Sequence, residues 1–221
     1  MESHIVKILN TEYVTHDVKR FRVEKPNGYT FEPGQATEVT IKGMEEKVGK
    51  GPFTFTSLKE EPELEFTIKI YADGELTEEL AKLSIGDELV IHDVWGSITY
   101  HGPGVFIAGG AGVTPFIAIL RRLYKDRKIN DHKLIFSNKA EKDIILKDEF
   151  ENMLGDNFIN VITQEKSNKY YNKRKDEKLI NEFVKNFDRH FYICGPEKFV
   201  SDIQRILKNL GADDNKVSIE K

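Results

Sequence analysis

A glycine-rich turn between an apolar run and a helix-like segment carries the sharpest chemical signal in the sequence. Residues 105–108 are apolar, residues 109–112 contain three glycines, and Thr114 and Pro115 open a segment with helical periodicity. Glycines let the backbone approach an anion closely, and the N–H groups and dipole of a following helix attract a phosphate, while Pro115 gives up no needed donor. The turn predicts a pyrophosphate cradle, although it departs from G-x-G-x-x-G; a ligand-free turn is the alternative.

A second turn of this kind lies near the C-terminus. The apolar run 191–193 ends at Cys194, Gly195 and Pro196. Ligands gather at the carboxyl ends of strands in an open parallel sheet, so we expect Cys194 to line the same crevice as residues 109–114. A buried small hydrophobe is the common fate of a lone cysteine and the competing interpretation.

Aromatic and hydroxyl side chains follow one another in a strand-like segment of the first half, at Pro52, Phe53, Thr54 and Phe55. Such a segment can pack a planar ring and hydrogen-bond its polar edge, and a core strand with a hydroxyl face is an equal alternative. Further along, Gly74 precedes a helix-like segment near residues 76–83, with Thr77 as its predicted N-cap. This turn is a second candidate anion cradle, or an ordinary strand-to-helix turn.

Two different periodicities position these motifs. Up to about residue 100, short runs of β-formers separated by turns predict five or six antiparallel strands in a small barrel. Beyond it, strand-like runs alternate with helical periodicity, which predicts a parallel sheet covered on both faces. We therefore predict a β-barrel domain in residues 1–101 and a Rossmann-like α/β domain in residues 102–221, with a hinge at residues 102–104.

The predicted strands of the barrel are residues 5–8, 18–23, 36–41, 64–70 and 88–91. The predicted strands of the α/β domain are residues 105–108, 133–136, 160–163 and 191–194, and its predicted helices are residues 115–125, 146–154, 178–186 and 197–209.

Composition narrows the function. The formal net charge of -4 supplies no positive field for nucleic acid, and no apolar stretch is long enough for a membrane span or a secretion signal, so a cytoplasmic protein is expected. The single cysteine cannot form an internal disulfide or hold an iron–sulfur cluster, and the six histidines show no paired metal-site spacing. Redox chemistry would need an organic cofactor or a separate protein.

In their order along the chain, these segments resemble the ferredoxin:NADP reductase superfamily, in particular its compact bacterial flavodoxin and ferredoxin reductases. The family motifs are Arg-x-Tyr/Phe-Ser/Thr, a Gly-x-x-Ser/Thr helix start, a glycine-rich turn ending in Thr-Pro, and Cys-Gly-Pro. The last three correspond here to residues 74–77, 109–115 and 194–196. The resemblance covers nearly the whole chain and implies hydride transfer from NAD(P)H to bound FAD, then electron transfer to a separate acceptor such as ferredoxin or flavodoxin.

The resemblance also implies roles for individual residues. Phe53 and Thr54 would contact the isoalloxazine ring within the segment that includes Pro52 and Phe55, with Thr54 near flavin N5. The flavin phosphates would be held by Gly74, Leu76 and Thr77. The nicotinamide dinucleotide would be bound by Gly109, Gly110, Gly112, Thr114 and Pro115. The nicotinamide ring would be bordered by Cys194, Gly195 and Pro196, so that Thr54 and Cys194 are the predicted catalytic positions.

The choice between NADH and NADPH is predicted to lie at the end of the second strand of the α/β domain, at Ser137, Asn138 and Lys139, and at Arg174. A 2′-phosphate needs cations and hydroxyls, whereas an NADH enzyme more often places a carboxylate against the ribose diol. No acidic residue follows this strand directly, which slightly favours NADPH. Arg174 lies in a run so rich in charge that a solvated loop is the alternative.

Two positions depart from the family pattern. The arginine that pairs with the flavin pyrophosphate falls at Gly51, although Lys50 is adjacent and could act as a point charge. FMN is therefore the alternative to FAD. The C-terminal residues 217–221 contain no aromatic side chain to stack over the flavin. The remaining alternatives are a reductase for free flavin, quinone or an oxygenase component, and a non-catalytic dinucleotide-binding module.

Overall fold

The computed structural model describes residues 2–96, 98–166, 170–172 and 177–220. Internal contacts divide the chain into two compact units. The first unit contains Met1–Thr99 and Thr114–Arg122, and the second contains Tyr100–Val113 and Leu123–Lys221. The assignment of a flavin domain to residues 1–101 and a nicotinamide domain to residues 102–221 stays a prediction. No helix among the described residues is long and apolar enough to cross a membrane.

The first unit is a nearly closed antiparallel barrel. Its strands are β1 (Ser3–Thr15), β2 (Val18–Glu24), β3 (Gln35–Ile41), β4 (Gly51–Thr54), β5 (Glu63–Lys69), β6 (Glu88–His92) and β7 (Trp95–Gly96). They pair in the order β4-β3-β6-β1-β2-β5, and β7 pairs with β3. Immediately after β4, Phe55 bridges to Phe66 of β5, which brings the two ends of this order together. Two helices accompany the barrel, α1 (Glu45–Val48) and α2 (Glu75–Lys82).

Alternation along the strands fills the barrel core. In β5, Leu64, Phe66 and Ile68 are buried in the core, whereas Glu65 and Thr67 occupy the alternate positions of the same strand. The side chain of Phe66 meets an aromatic neighbour, since its ring lies 5.2 Å from that of Phe55. The strand edge that carries the candidate flavin residues is therefore held by aromatic packing as well as by backbone hydrogen bonds.

The second unit contains a parallel sheet. Its strands are β8 (Gly104–Gly109), β9 (Lys133–Asn138), β10 (Phe158–Ile162), β11 (His190–Cys194) and β12 (Val217–Ile219). The connecting helices are α3 (Thr114–Lys125), α4 (Lys147–Leu154), α5 (Glu177–Phe183) and α6 (Glu197–Asn209). The first nine residues of α3 group with the first unit. Pairing in the order β10-β9-β8-β11-β12 is parallel throughout.

This strand order creates a topological switch point. From β8 the chain builds β9 and β10 on one side, and it then returns to the other side of β8 for β11 and β12. In open parallel sheets, ligands bind at the carboxyl ends of the strands where the order reverses. The register aligns Gly109 with Ser137 and Ala108 with Cys194. The switch point therefore lies between the two glycine-containing turns that the sequence indicates.

The predicted fold class, a β-barrel followed by a parallel-sheet α/β unit, is confirmed. The structure adds elements that short apolar patterns did not indicate. Strand β1 continues to Thr15 because its second part pairs with β2 through two register shifts, although its residues lack clean alternation. Strand β12 is only three residues long and exists as a partner of β11.

Candidate functional site

The end of β4 presents a hydroxyl without a hydrogen-bond partner. Thr54 is 7% exposed, and its hydroxyl makes no hydrogen bond within the part of the chain that the structure describes. Its Oγ1 is not among the fully buried polar atoms that lack a partner, so the hydroxyl can be reached by solvent or by a ligand. Before it in β4, Phe53 is half-buried and Pro52 is exposed. The segment thus offers a ring face and a free donor, which suits the polar edge of a flavin.

The start of α2 lies beside this segment. A Cβ added at Gly51 would stand 3.0 Å from Cδ2 of Leu76 and 3.4 Å from the ring of Phe53. Gly51, Phe53 and Leu76 come from two segments that the sequence could only place separately. The structure therefore joins the predicted ring-binding strand and the predicted phosphate turn in one place.

Thr77 fixes this turn from inside the helix. The helix starts at Glu75 with Gly74 as its N-cap, so the prediction of Thr77 as N-cap is wrong. The Thr77 hydroxyl accepts a hydrogen bond from the N–H of Tyr71 (3.1 Å) and donates to the carbonyl of Gly74 (3.2 Å). The helix N-terminus has no side-chain cap. Its first N–H groups can therefore serve an anion, while a direct Thr77 contact to a phosphate stays a prediction.

The charges around this turn do not favour a pyrophosphate. The first turn of α2 carries Glu75 and Glu78. The neighbouring cation, Lys50, which precedes β4, forms an ion pair with Glu38 of β3. Without the family arginine, a flavin phosphate would rely mainly on backbone donors.

We expect Gly51→Arg to tighten flavin binding about tenfold, because a guanidinium makes forked, charge-assisted hydrogen bonds worth about 1.5 kcal/mol or more to a phosphate. The new side chain displaces only the flexible end of Leu76. The measurement is the flavin dissociation constant by fluorescence titration of apoprotein. Lys50→Met is the control and should leave the constant unchanged, since Lys50 is engaged by Glu38. Equal constants for Gly51→Arg and the parent would mean that backbone donors already saturate the phosphate.

Phe55 does not belong to the ring-binding surface. Its side chain is 0% exposed and stacks on Phe31 with ring centroids 4.2 Å apart. The prediction of Phe55 as a cofactor-binding side chain is corrected to a core position. The physical reason is strand alternation, which sends Phe53 and Phe55 to the same side, but only Phe55 lies deep enough to be enclosed.

In the second unit, the glycine turn packs against the end of β11. Residues Gly110–Val113 form a single 3-10 turn, and Gly110 has φ +54° with open space where a Cβ would be. At Gly112, a Cβ would lie 2.4 Å from the carbonyl oxygen of Cys194 and 2.5 Å from the nitrogen of Gly195. The two predicted turns are therefore in direct backbone contact. Such a turn leaves backbone N–H groups for a phosphate that a side chain would block.

Helix α6 also packs against these two turns, through Phe199. Cβ atoms added at Gly109 or Gly195 would meet the ring of Phe199 at 3.0 and 2.9 Å. Pro196 is the exposed N-cap of α6, and Pro115 is buried in the first turn of α3, one position after Thr114. The residues predicted to bind the dinucleotide, 109–115 and 194–196, thus lie at the switch point or directly follow it along the chain.

Cys194 has a partner that the sequence did not indicate. Its thiol donates to Oε2 of Glu220 at 2.6 Å, because β12 places the residue after Ile219 beside the end of β11. Burial, reinforced by the Glu220 carboxylate, raises the pKa of the Cys194 thiol, which therefore stays protonated. A thiolate nucleophile is not available here. The only sequence signal for Glu220 is an acidic residue following the alternating run 217–219.

Of the residues predicted to choose between NADH and NADPH, the structure describes the three at the end of β9. Ser137 is buried at the end of β9, and Lys139 is exposed one residue beyond the strand. Between them, Asn138 is 4% exposed, and neither its Oδ1 nor its Nδ2 has a hydrogen-bond partner among the described residues. Two orphaned amide atoms beside the switch point fit a polar ligand. Arg174 lies outside the described residues.

Comparison with protein families agrees with this geometry. Residues 5–100 match the oxidoreductase FAD-binding domain, and residues 106–205 match the oxidoreductase NAD-binding domain. The first match includes the Thr54 hydroxyl, and the second includes the glycine turn Gly110–Val113.

Individual reductases resemble this chain in sequence or in fold. The reductase component of propane 2-monooxygenase from Rhodococcus jostii is 30% identical over 65% of this chain and 40% of its own length. NADH-cytochrome b5 reductase 3 from Rattus norvegicus is 26% identical over 67% of this chain and 60% of its own length. The chain therefore spans about half of the length of these relatives. A ferredoxin NADP+ reductase from Neisseria gonorrhoeae, crystallised with FAD and NADP, superposes with a TM-score of 0.84 at 20% identity, covering 100% of this chain and 98% of the other.

Proposed function

Since the chain belongs to the ferredoxin reductase-like superfamily of FAD- and NAD-binding oxidoreductases, we propose that it takes a hydride from NAD(P)H and passes electrons to a separate acceptor. The observation that carries this proposal is the contact of Gly112 with the end of β11 at the switch point of the sheet. That contact builds a dinucleotide-type corner in one unit, while the other unit offers the unpaired Thr54 hydroxyl.

The chain's own residues bind, orient and exclude water. Bound flavin supplies the chemistry, since it accepts a hydride and can release electrons singly. Thr54 would hydrogen-bond the polar edge of the ring, and the N–H groups of α2 would hold the phosphates. The turn at Gly110–Val113 would fix the dinucleotide, and Cys194 would border the nicotinamide as a neutral thiol. Hydride transfer needs no side-chain acid or base, which agrees with a buried, protonated Cys194.

The experiment is anaerobic mixing of the purified, flavin-loaded protein with NADPH or NADH while flavin absorbance is recorded. Bleaching by either nucleotide is the expected result. A bound flavin that stays oxidised with both would overturn the hydride-transfer assignment. A protein that binds no flavin at all would point to a non-catalytic dinucleotide-binding module.

NADPH is the proposed donor. Two carboxylates that follow β9 have partners within the chain: Asp143 accepts from the N–H of Ala140 at 2.9 Å, and Glu141 accepts from Lys147 at 2.8 Å. These contacts orient both carboxylates, and Lys139, directly after the strand, is exposed. This arrangement favours a 2′-phosphate over a free diol.

For Arg174→Ala, we expect kcat/KM to fall about tenfold or more with NADPH alone, because a charged contact to the 2′-phosphate is worth about 1.5–3 kcal/mol. Steady-state kinetics with both nucleotides measure this. Lys178→Ala removes an exposed cation four positions away and should change neither value. An equal loss with NADH and NADPH, or no loss, would remove Arg174 from nucleotide selection.

The proposed acceptor is a separate protein, ferredoxin or flavodoxin in type, because the single cysteine of this chain cannot hold an iron–sulfur cluster. The relatives named above favour a second candidate, an oxygenase component or a cytochrome b5. Acceptor assays at fixed NADPH would compare ferredoxin, flavodoxin, cytochrome b5, a quinone and free FMN. Turnover with a small-molecule acceptor at a rate that no protein acceptor exceeds would overturn the protein-acceptor proposal.

A further inference from the structure

A buried carboxylate on the outer side of β5 collects an unusual set of donors. Oε1 of Glu65 accepts from Nη1 of Arg121 at 2.6 Å and from the hydroxyl of Thr56 at 2.8 Å. The same Nη1 also donates to the backbone carbonyl of Thr56 at 2.7 Å. Arg22 and Arg20 stand farther off, 3.4 and 3.9 Å from Oε2 of Glu65. We call the three residues Glu65, Arg121 and Thr56 the β5–α3 clamp.

The clamp is enclosed and charged. Glu65 and Thr56 are buried, and only 16% of the Arg121 side chain is exposed. Burial by itself would raise the pKa of Glu65, but the charge and hydrogen bond of Arg121, the hydrogen bond of Thr56 and the charge of Arg20 hold the pKa below its usual value. A buried ion pair of this kind contributes little net stability compared with apolar packing, and breaking it leaves an uncompensated charge. Its main effect is to fix geometry.

The clamp touches the segment that carries the candidate flavin hydroxyl. Thr56 lies two residues after Thr54, and its N–H donates to the carbonyl of Glu65 at 2.8 Å. The N–H of Glu65 in turn donates to the hydroxyl of Ser57 at 2.9 Å. Residues 55–57, which directly follow Thr54, are thus tied to β5 by backbone and by side chains.

The other end of the clamp lies on α3. Arg121 belongs to the part of α3 that groups with the first unit, and Thr114, the first residue of this helix, directly follows the glycine turn Gly110–Val113. Arg121 lies about two turns after Thr114, so a fixed Arg121 restrains the start of this helix. The clamp therefore connects the flavin segment to the first nine residues of α3, and all of its contacts lie within the first unit.

We propose that Arg121, held by Glu65 and Thr56, is a positioning residue that holds the segment carrying the Thr54 hydroxyl in place for the bound flavin. It touches neither cofactor in this role. This inference rests on the proposed function. Misplacing reacting atoms by about 1 Å can cost on the order of a hundredfold in rate, so a loosened clamp should slow reduction while binding is retained.

The test uses the flavin-loaded protein and three variants. Arg121→Met keeps the length of the side chain and removes its charge and donors, whereas Arg121→Lys keeps a charge and a donor. Arg122→Met is the matched control, because its neighbouring guanidinium pairs with Glu60 at 2.8 Å outside the clamp. Anaerobic stopped-flow reduction gives the hydride-transfer rate, and titration gives the nucleotide dissociation constant.

We expect Arg121→Met to reduce flavin about tenfold more slowly at saturating nucleotide, with a nucleotide dissociation constant within about twofold of the parent. Arg121→Lys should recover part of the rate, and Arg122→Met should match the parent. A parent-like rate in Arg121→Met would overturn the proposal. So would a slower rate explained entirely by lost flavin or weaker nucleotide binding.

A second readout does not depend on turnover. Amide hydrogen exchange should be faster in Arg121→Met across residues 54–57 and 114–121 than in the parent, and unchanged in Arg122→Met. Unchanged exchange in Arg121→Met would overturn the clamp. If the parent flavin is not reduced by NAD(P)H, the proposed function fails, while the exchange experiment still decides whether the clamp exists. Glu65→Gln serves as a second variant should Arg121→Met not fold.

Discussion

Gly112→Ala is expected to lower the rate of flavin reduction by NAD(P)H more than a hundredfold. The added methyl would lie 2.4 Å from the carbonyl oxygen of Cys194, a backbone atom that cannot move aside as a side chain can. The turn and the end of β11 must then separate, which displaces the backbone donors that would hold the dinucleotide. The same overpacking should cost about 1–3 kcal/mol of stability.

Gly110→Ala is the matched control for this prediction. Its Cβ would enter open space, and the cost is that of a positive φ, about 1 kcal/mol. Stopped-flow reduction and thermal unfolding of both variants give the comparison. If Gly110→Ala and Gly112→Ala lose the same small amount of activity, the contact between the two turns does not shape the nucleotide site.

Thr54→Val is expected to slow flavin reduction by about tenfold to a hundredfold, equivalent to about 1.4–2.7 kcal/mol, without destabilising the barrel. The hydroxyl has no partner in the described part of the chain and is not fully buried, so valine keeps the shape and removes no hydrogen bond within the protein. The free energy of unfolding of the apoprotein should therefore stay level or rise. A residue that weakens activity and not stability when replaced is one whose hydrogen bond is made to a ligand.

Thr11→Val provides the contrast. Its hydroxyl donates to the carbonyl of Arg20 at 3.0 Å in β1, outside the candidate site, so its loss should cost about 1 kcal/mol of stability and no activity. Chemical denaturation and anaerobic reduction measure the two quantities separately. A Thr54→Val protein that is reduced as fast as the parent would show that this hydroxyl serves no flavin atom.

The strand ends and glycine turns could be predicted from residues that are neighbours along the chain. A buried strand, a glycine turn and a helix start at proline are each specified within about ten residues, so residues 105–115 and 191–196 could be placed at strand ends before any fold was known. The change from period-two alternation to strand–helix alternation likewise determined the two architectures. These features depend on neighbours along the chain, and the sequence records such neighbours directly.

How deeply a side chain is buried, and which distant side chain it contacts, were decided only by the tertiary structure. Phe53 and Phe55 share a strand pattern, but closure of the barrel through the Phe55–Phe66 bridge encloses one ring and leaves the other half-buried. Cys194 meets Glu220 across 26 residues, and Glu65 meets Arg121 across 56. No local propensity encodes such pairs, because each exists only when β12 lies beside β11 or α3 lies against β5. The sequence by itself determined which chemistry the chain can support; the packing of distant segments decided which side chains are placed to perform it.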